Sequence, residues 1–147
     1  MKKALYLFCE NYISARIHRI QNQINEVKAS LTSESKSTAG DKHETGRAML
    51  QLEREKLGQQ LLEAEKMQQV LSKVPLETVN AKVVLGSLVQ TTKATYYIAV
   101  SAGKCEIDEA LIFCISANTP IAKLLLGKVV NDTISFNGTS SKIIAIS

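Results

Sequence analysis

Asp41 and Glu44 are the residues of this chain whose type and spacing most directly suggest chemistry. They stand three apart within Gly40-Asp41-Lys42-His43-Glu44. Residues at that spacing on a helix share a face, so both carboxylates can be offered to one hard cation such as Mg²⁺. They would not hold it tightly alone, because Mg²⁺ takes near-octahedral oxygen coordination and keeps several waters. A partner would have to complete the shell. The same residues also read as a helix start. Asp at the N-cap with Glu three residues on resembles a capping box, and both acids suit the positive end of the helix dipole. Spacing alone leaves both readings open. His43 lies between the acids, in the usual setting of a solvated imidazole. Arg47, one turn after Glu44, either pairs with it or meets an acidic or phosphate partner.

Other chemistry is thin. Cys9, Cys105 and Cys114 are odd in number, lack CxxC or metal-ligand spacing, and sit among apolar residues. That pattern reads as reduced thiols of a cytoplasmic protein. A cysteine nucleophile would need His18 or His43 beside it, and both histidines fall in the helical half. There is no P-loop, GxGxxG or HExxH motif. The chain is therefore not read as an enzyme, and no intrinsic cofactor is expected.

The acids have to be positioned by the elements around them. Composition changes near Pro75: Gln, Glu, Lys and Leu dominate before it, and Val, Ile, Thr and most glycines follow. Ile13, Ile17, Ile20, Ile24, Val27 and Leu31 repeat at alternating intervals of four and three, the seam of a coiled coil. Leu50, Leu57, Leu61, Ala64, Met67 and Leu71 form a second stripe. The segment Thr32–Gly40 between them is small and polar. An antiparallel register pairs Val27 with Leu50, Ile20 with Leu57, Ile13 with Ala64, Glu10 with Met67 and Tyr6 with Leu71, and centres the turn near Thr38. Residues 1–76 are thus expected to form an antiparallel two-helix coiled-coil hairpin, with its tip near 33–44 and the acids beside the turn.

Residues 77–147 read as a small antiparallel sheet domain with one short helix, giving an α+β fold. Expected strands are 82–89, 95–101, 111–115, 133–136 and 142–146. Thr119 as cap, Pro120 at the first helical position and Gly127 as stop define the helix. Asn137-Gly138 signals a tight turn between the last two strands.

The 147 residues allow one ordinary domain or two small pieces. With 45% apolar residues a core is possible. With 5% aromatics and no Trp, a pocket walled by aromatic rings is not expected. The net charge of +4 is too mild for a dedicated DNA-binding surface, and no sequence-specific DNA binding is expected. The apolar start at Met1 imitates a signal peptide but stops at Glu10, short of the usual ~7–15 residue run. No stretch is long enough to span a bilayer, and no membrane role is expected.

Together these motifs resemble the bacterial Gre transcript-cleavage factors, a transcription elongation factor family. Their tip motif, a Gly-Asp separated by two residues from a Glu, is matched by Gly40-Asp41 and Glu44. Their Lys-Val-Val-x-Gly-Ser/Ala-x-Val segment is matched by Lys82-Val83-Val84-Leu85-Gly86-Ser87-Leu88-Val89. Their Ser-Pro-Ile helix motif is matched by Thr119-Pro120-Ile121-Ala122-Lys123-Leu124-Leu125-Leu126-Gly127-Lys128, with Asp132 after it. The resemblance covers nearly the whole chain.

The resemblance implies an FKBP-like C-terminal domain that docks on RNA polymerase at the rim of the secondary channel. Partner contacts are expected at Thr119, Pro120, Ile121, Lys123, Gly127 and Lys128. The hairpin would enter the channel, and Asp41 and Glu44 would help hold a Mg²⁺ shared with the polymerase. There they would assist cleavage of backtracked RNA, whose nascent 3′ end is met only indirectly. The family continues from its tip Glu with Asn-Ala-Glu-Tyr; this chain has Thr45-Gly46-Arg47-Ala48, so His43 and Arg47 flank the acids. Two alternatives accompany this reading: a channel-binding regulator that does not stimulate cleavage, and a coiled-coil adaptor without a polymerase role.

Overall fold

The computed structural model describes residues 1–35 and 41–147, with side chains described outside 35–43. Its elements are α1 (Lys2–Ser35), α2 (Asp41–Ser72), β1 (Leu88–Thr91), β2 (Thr95–Ala99), β3 (Gly103–Ile107), β4 (Ala110–Ser116), α3 (Pro120–Leu125), β5 (Thr133–Phe136) and β6 (Thr139–Ile146). This is an α+β chain: a helical hairpin, then a six-stranded mixed sheet and a short helix. It forms two compact units, Ile13–Met67 and Met1–Tyr12 with Gln68–Ser147.

The unit Ile13–Met67 is the hairpin. Ile20, Val27, Leu57 and Ala64 are buried together, and Ile17, Ile24, Leu31, Leu50 and Leu61 pack against them. The residues expected to pair as Val27–Leu50 and Ile20–Leu57 therefore meet in one cluster. Each fully buried aliphatic side chain contributes about 1.5–3 kcal/mol relative to exposure, which outweighs the weak intrinsic preference of any one helical residue. Arg16 spans the pair: its Nη1 donates to Met67 Sδ at 3.4 Å, and its Nη2 lies 3.9 Å from a Glu63 carboxylate oxygen. The tip loop expected at Thr32–Gly40 falls in part outside the described residues.

In the other unit the strands run in the order β3-β4-β2-β1-β6-β5. The sheet expected to be antiparallel is mixed: β2 and β4 are parallel, with Thr95 opposite Ile112 and Ala99 opposite Ser116, and the remaining neighbours are antiparallel. A strand absent from the expected set, β3, occupies one edge. It joins β4 through Asp108-Glu109, both at positive φ (49° and 65°), a two-residue hairpin turn made without the usual Asn-Gly or Asp-Gly. The Asn137-Gly138 turn is present, at φ 51° and 77°, with Phe136 opposite Thr139.

The strand expected over 82–89 is replaced for most of its length by irregular chain, and only Leu88 and Val89 enter β1. The cause is local. Gly86 adopts φ +91° and donates its N–H to Ile98 O at 2.7 Å, while Ser87 Oγ accepts from Val84 N–H at 2.9 Å. Ile98 N–H also donates to Ser87 O at 3.0 Å, so Gly86 and Ser87 both face Ile98 of β2, a bulge that interrupts the ladder before Leu88.

Strand register divides the sheet into two faces. On one, Val83, Val89, Ile98, Ile134 and Ile143 close with Leu125 of α3 into a core. On the other, Tyr97 lies opposite Leu88 and Cys114, and Cys105 opposite Ile112. The start of α1 covers this second face, since the Cys9 and Cys114 thiols hydrogen-bond to each other and Leu5 and Cys9 are fully buried.

Candidate functional site

The Thr119–Lys128 motif folds into a fixed surface element. Thr119 takes an extended conformation (φ −71°, ψ 150°), and its Oγ1 accepts from Ala122 N–H at 3.4 Å. Pro120 follows at the first helical position, where a missing N–H costs nothing. The Thr119 hydroxyl donates to Ser116 O at 2.8 Å and so ties the cap to the end of β4. Beyond the helix, Gly127 sits at φ +81°. There its N–H donates to Val83 O at 2.8 Å, and Val83 N–H donates to Lys128 O at 2.9 Å. The Lys82–Val89 segment and the helix motif, separate in sequence, thus form one hydrogen-bonded unit. Ala122 and Leu125 are buried beneath it.

Of the residues expected to meet a partner here, Pro120, Lys123, Gly127 and Lys128 are exposed, and Thr119 and Ile121 are half-buried. Thr119 and Gly127 shape the element by cap and turn. Asp132, which follows the motif, accepts from Val129 N–H through Oδ2 at 2.9 Å and closes the next turn.

At the hairpin tip, α2 begins at Asp41. The side chains of Asp41 and His43 lie outside those described. Glu44 and Arg47 are exposed on the first turns of α2. Gly46 is half-buried, and a Cβ built on it would lie 3.9 Å from the Glu34 carboxyl group of α1. Among the described residues no group of three or more His, Cys, Asp or Glu side chains is placed to hold a metal ion.

The expectation from sequence named Arg47 but not its neighbours. Arg47, Gln51 and Arg54 of α2, with Lys28, Leu31 and Thr32 of α1, line a hollow of about 380 Å³ on the hairpin. The intervals of four and three from Arg47 to Arg54, on the same helix face, carried that signal.

Cys9, Cys105 and Cys114 are buried and unbridged. The hydrogen bond from Cys114 holds the Cys9 thiol below its ordinary pKa, whereas the hydrogen bond with Cys9 and burial push Cys114 up. Burial also raises Cys105 and Tyr97, and the Tyr97 hydroxyl has no hydrogen-bond partner among the described residues. His18 is exposed on α1, where its Nδ1 lies 3.4 Å from Asn22 Nδ2.

No protein-family model and no curated protein matches the chain. Among solved structures, that of the transcription factor Gfh1 aligns over 91% of this chain and 90% of its own, at 19% identity and a TM-score of 0.36. At that level of superposition the likeness assigns neither family nor activity. No helix is long and apolar enough to cross a membrane, among the described residues.

Proposed function

We propose that this protein is a Gre-like accessory factor of RNA polymerase. Its hairpin enters the secondary channel of the enzyme, and Asp41 and Glu44 lend carboxylates to a Mg²⁺ shared with the polymerase active site. The observation that supports this most is the coupling of two motifs far apart in sequence. The Lys82–Val89 and Thr119–Lys128 segments interlock through Val83, Gly127 and Lys128, while the paired acids open the second helix of a hairpin.

The donor chemistry fits such an ion. Carboxylate oxygens are what a hard cation takes, and Glu44 stands exposed three residues into the helix that Asp41 opens. When bound, the shared ion supplies Lewis-acid activation of a water that cleaves backtracked RNA. Pro120, Lys123 and Lys128 present the exposed contacts for docking at the channel rim. The site of action on this reading is the cytoplasm.

The deciding experiment incubates stalled transcription complexes of the cognate polymerase with the protein and measures RNA shortening. Shortening by the wild type that is lost in Asp41→Ala/Glu44→Ala is the expected result. Wild type without effect, or a double variant as active as wild type, overturns the cleavage role.

A second reading is favoured by Arg47. This cation lies one turn from Glu44 at a position where the resembled family carries an acid, and it competes with a metal for the carboxylate. On that reading the protein occupies the channel and alters initiation or pausing without cleavage. Polymerase capture with no RNA shortening selects it, and absence of capture removes both.

A further inference from the structure

The hollow on the hairpin has a composition that calls for an anion. Lys28, Arg47 and Arg54 line it with Gln51, Thr32 and Leu31, and among the described residues none of its lining is acidic. Gln51 adds an amide that both donates and accepts. Thr32 is held by donation of its hydroxyl to Lys28 O at 3.0 Å. Acids do stand nearby: Glu34 approaches Gly46, and Glu55 shares an adjoining hollow with Gln51 and Arg54. Glu44 precedes Arg47 by one turn, and none of the three acids is among the lining residues.

Arg47 and Arg54 are seven residues apart on α2, a rise of about 10 Å. Arginine side chains can converge across that rise, but three cations crowded onto one phosphate repel one another. A chain of three phosphoryl groups gives Arg47, Arg54 and Lys28 separate groups to meet. The lining contains no aromatic side chain on which a base would stack, so recognition falls on the phosphates.

We propose that this hollow binds the triphosphate chain of a small ligand, either a nucleoside triphosphate or inorganic tripolyphosphate. The site does not require the polymerase reading, although it shares Arg47 with the second reading above, in which that cation meets Glu44.

Calorimetric titration of the full chain at low salt with tripolyphosphate, pyrophosphate, orthophosphate and ATP tests it. Tripolyphosphate is expected to bind more tightly than pyrophosphate, and orthophosphate least. Arg47→Gln and Arg54→Gln should each weaken tripolyphosphate about tenfold, the loss of one charge-assisted contact. Lys66→Gln, an exposed cation of the same hairpin away from the hollow, should leave it unchanged. All three side chains are exposed, and circular dichroism checks that each variant keeps its helices. ATP binding as tightly as tripolyphosphate assigns the nucleotide, and weaker binding assigns the free polyphosphate. Equal affinity for orthophosphate, equal loss in Lys66→Gln, or tighter binding of a short 5′-hydroxyl RNA each overturns the proposal.

Discussion

Replacing Gly86 by Ala should be among the most damaging one-carbon changes in this protein. Two costs combine. At φ +91° an L side chain is strained, by roughly 1–2 kcal/mol. The new Cβ would also lie 3.0 Å from Pro75 Cδ, 3.1 Å from Pro75 Cγ and 3.1 Å from Pro75 O. A proline ring and a carbonyl cannot move aside as a flexible side chain can, and overpacking of this kind costs about 1–3 kcal/mol. Relief by rotating the backbone would break the 2.7 Å bond from Gly86 N–H to Ile98 O. The sum is about 2–5 kcal/mol. Gly103 provides the control, because its φ is +86° but nothing lies within 4 Å of its Cβ position. Gly103→Ala should carry the strain alone. Urea unfolding followed by circular dichroism and tyrosine fluorescence resolves the two, with a midpoint drop of about 1–2 M expected for Gly86→Ala at ordinary m-values. Equal midpoints for the two variants would refute the steric reasoning and leave backbone strain as the whole effect.

Three further outcomes are expected. Tyr97→Phe should be neutral or stabilising by about 1 kcal/mol in thermal melts, because it removes a buried hydroxyl that has no partner. Burial raises the Tyr97 pKa above its ordinary 10.0, so the folded state keeps its proton where the unfolded chain loses it. Stability should therefore fall as pH rises past about 10, and comparing wild type with Tyr97→Phe across pH 8–11 should show a smaller fall in the variant. Leu57→Ala should cost about 2–5 kcal/mol, since Leu57 lies at the centre of the hairpin cluster; loss of helical signal at lower temperature is the readout. Thr119→Ala should cost about 1 kcal/mol through the lost cap, and Thr119→Ser much less, by urea midpoint.

Much of the hairpin was determined by sequence alone. A coiled-coil seam is a local periodicity, and Ile20, Val27 and Leu57 are buried where the heptad stripe places them because helical geometry converts spacing directly into a face. The α3 boundaries were legible for the same reason: Thr119, Pro120 and Gly127 act within a few residues of themselves. The sheet was decided by tertiary structure. The parallel pairing of β2 with β4 joins segments whose sequences carry no mark of each other. The edge strand β3 alternates exposed Lys104 and Glu106 with a single buried Cys105 and turns at Asp108-Glu109, so it lacks both an apolar run and a glycine turn. The 82–89 segment has strand composition, yet Gly86 and the bonds from Val83 to Gly127 and Lys128 bend it onto α3. At the tip, spacing defined the acids Asp41 and Glu44 but not their surroundings. The cations facing each other across the hairpin, Lys28 from α1 and Arg47 and Arg54 from α2, become one lining only once the two helices pack, because distance between helices is set by the core they share and not by sequence separation.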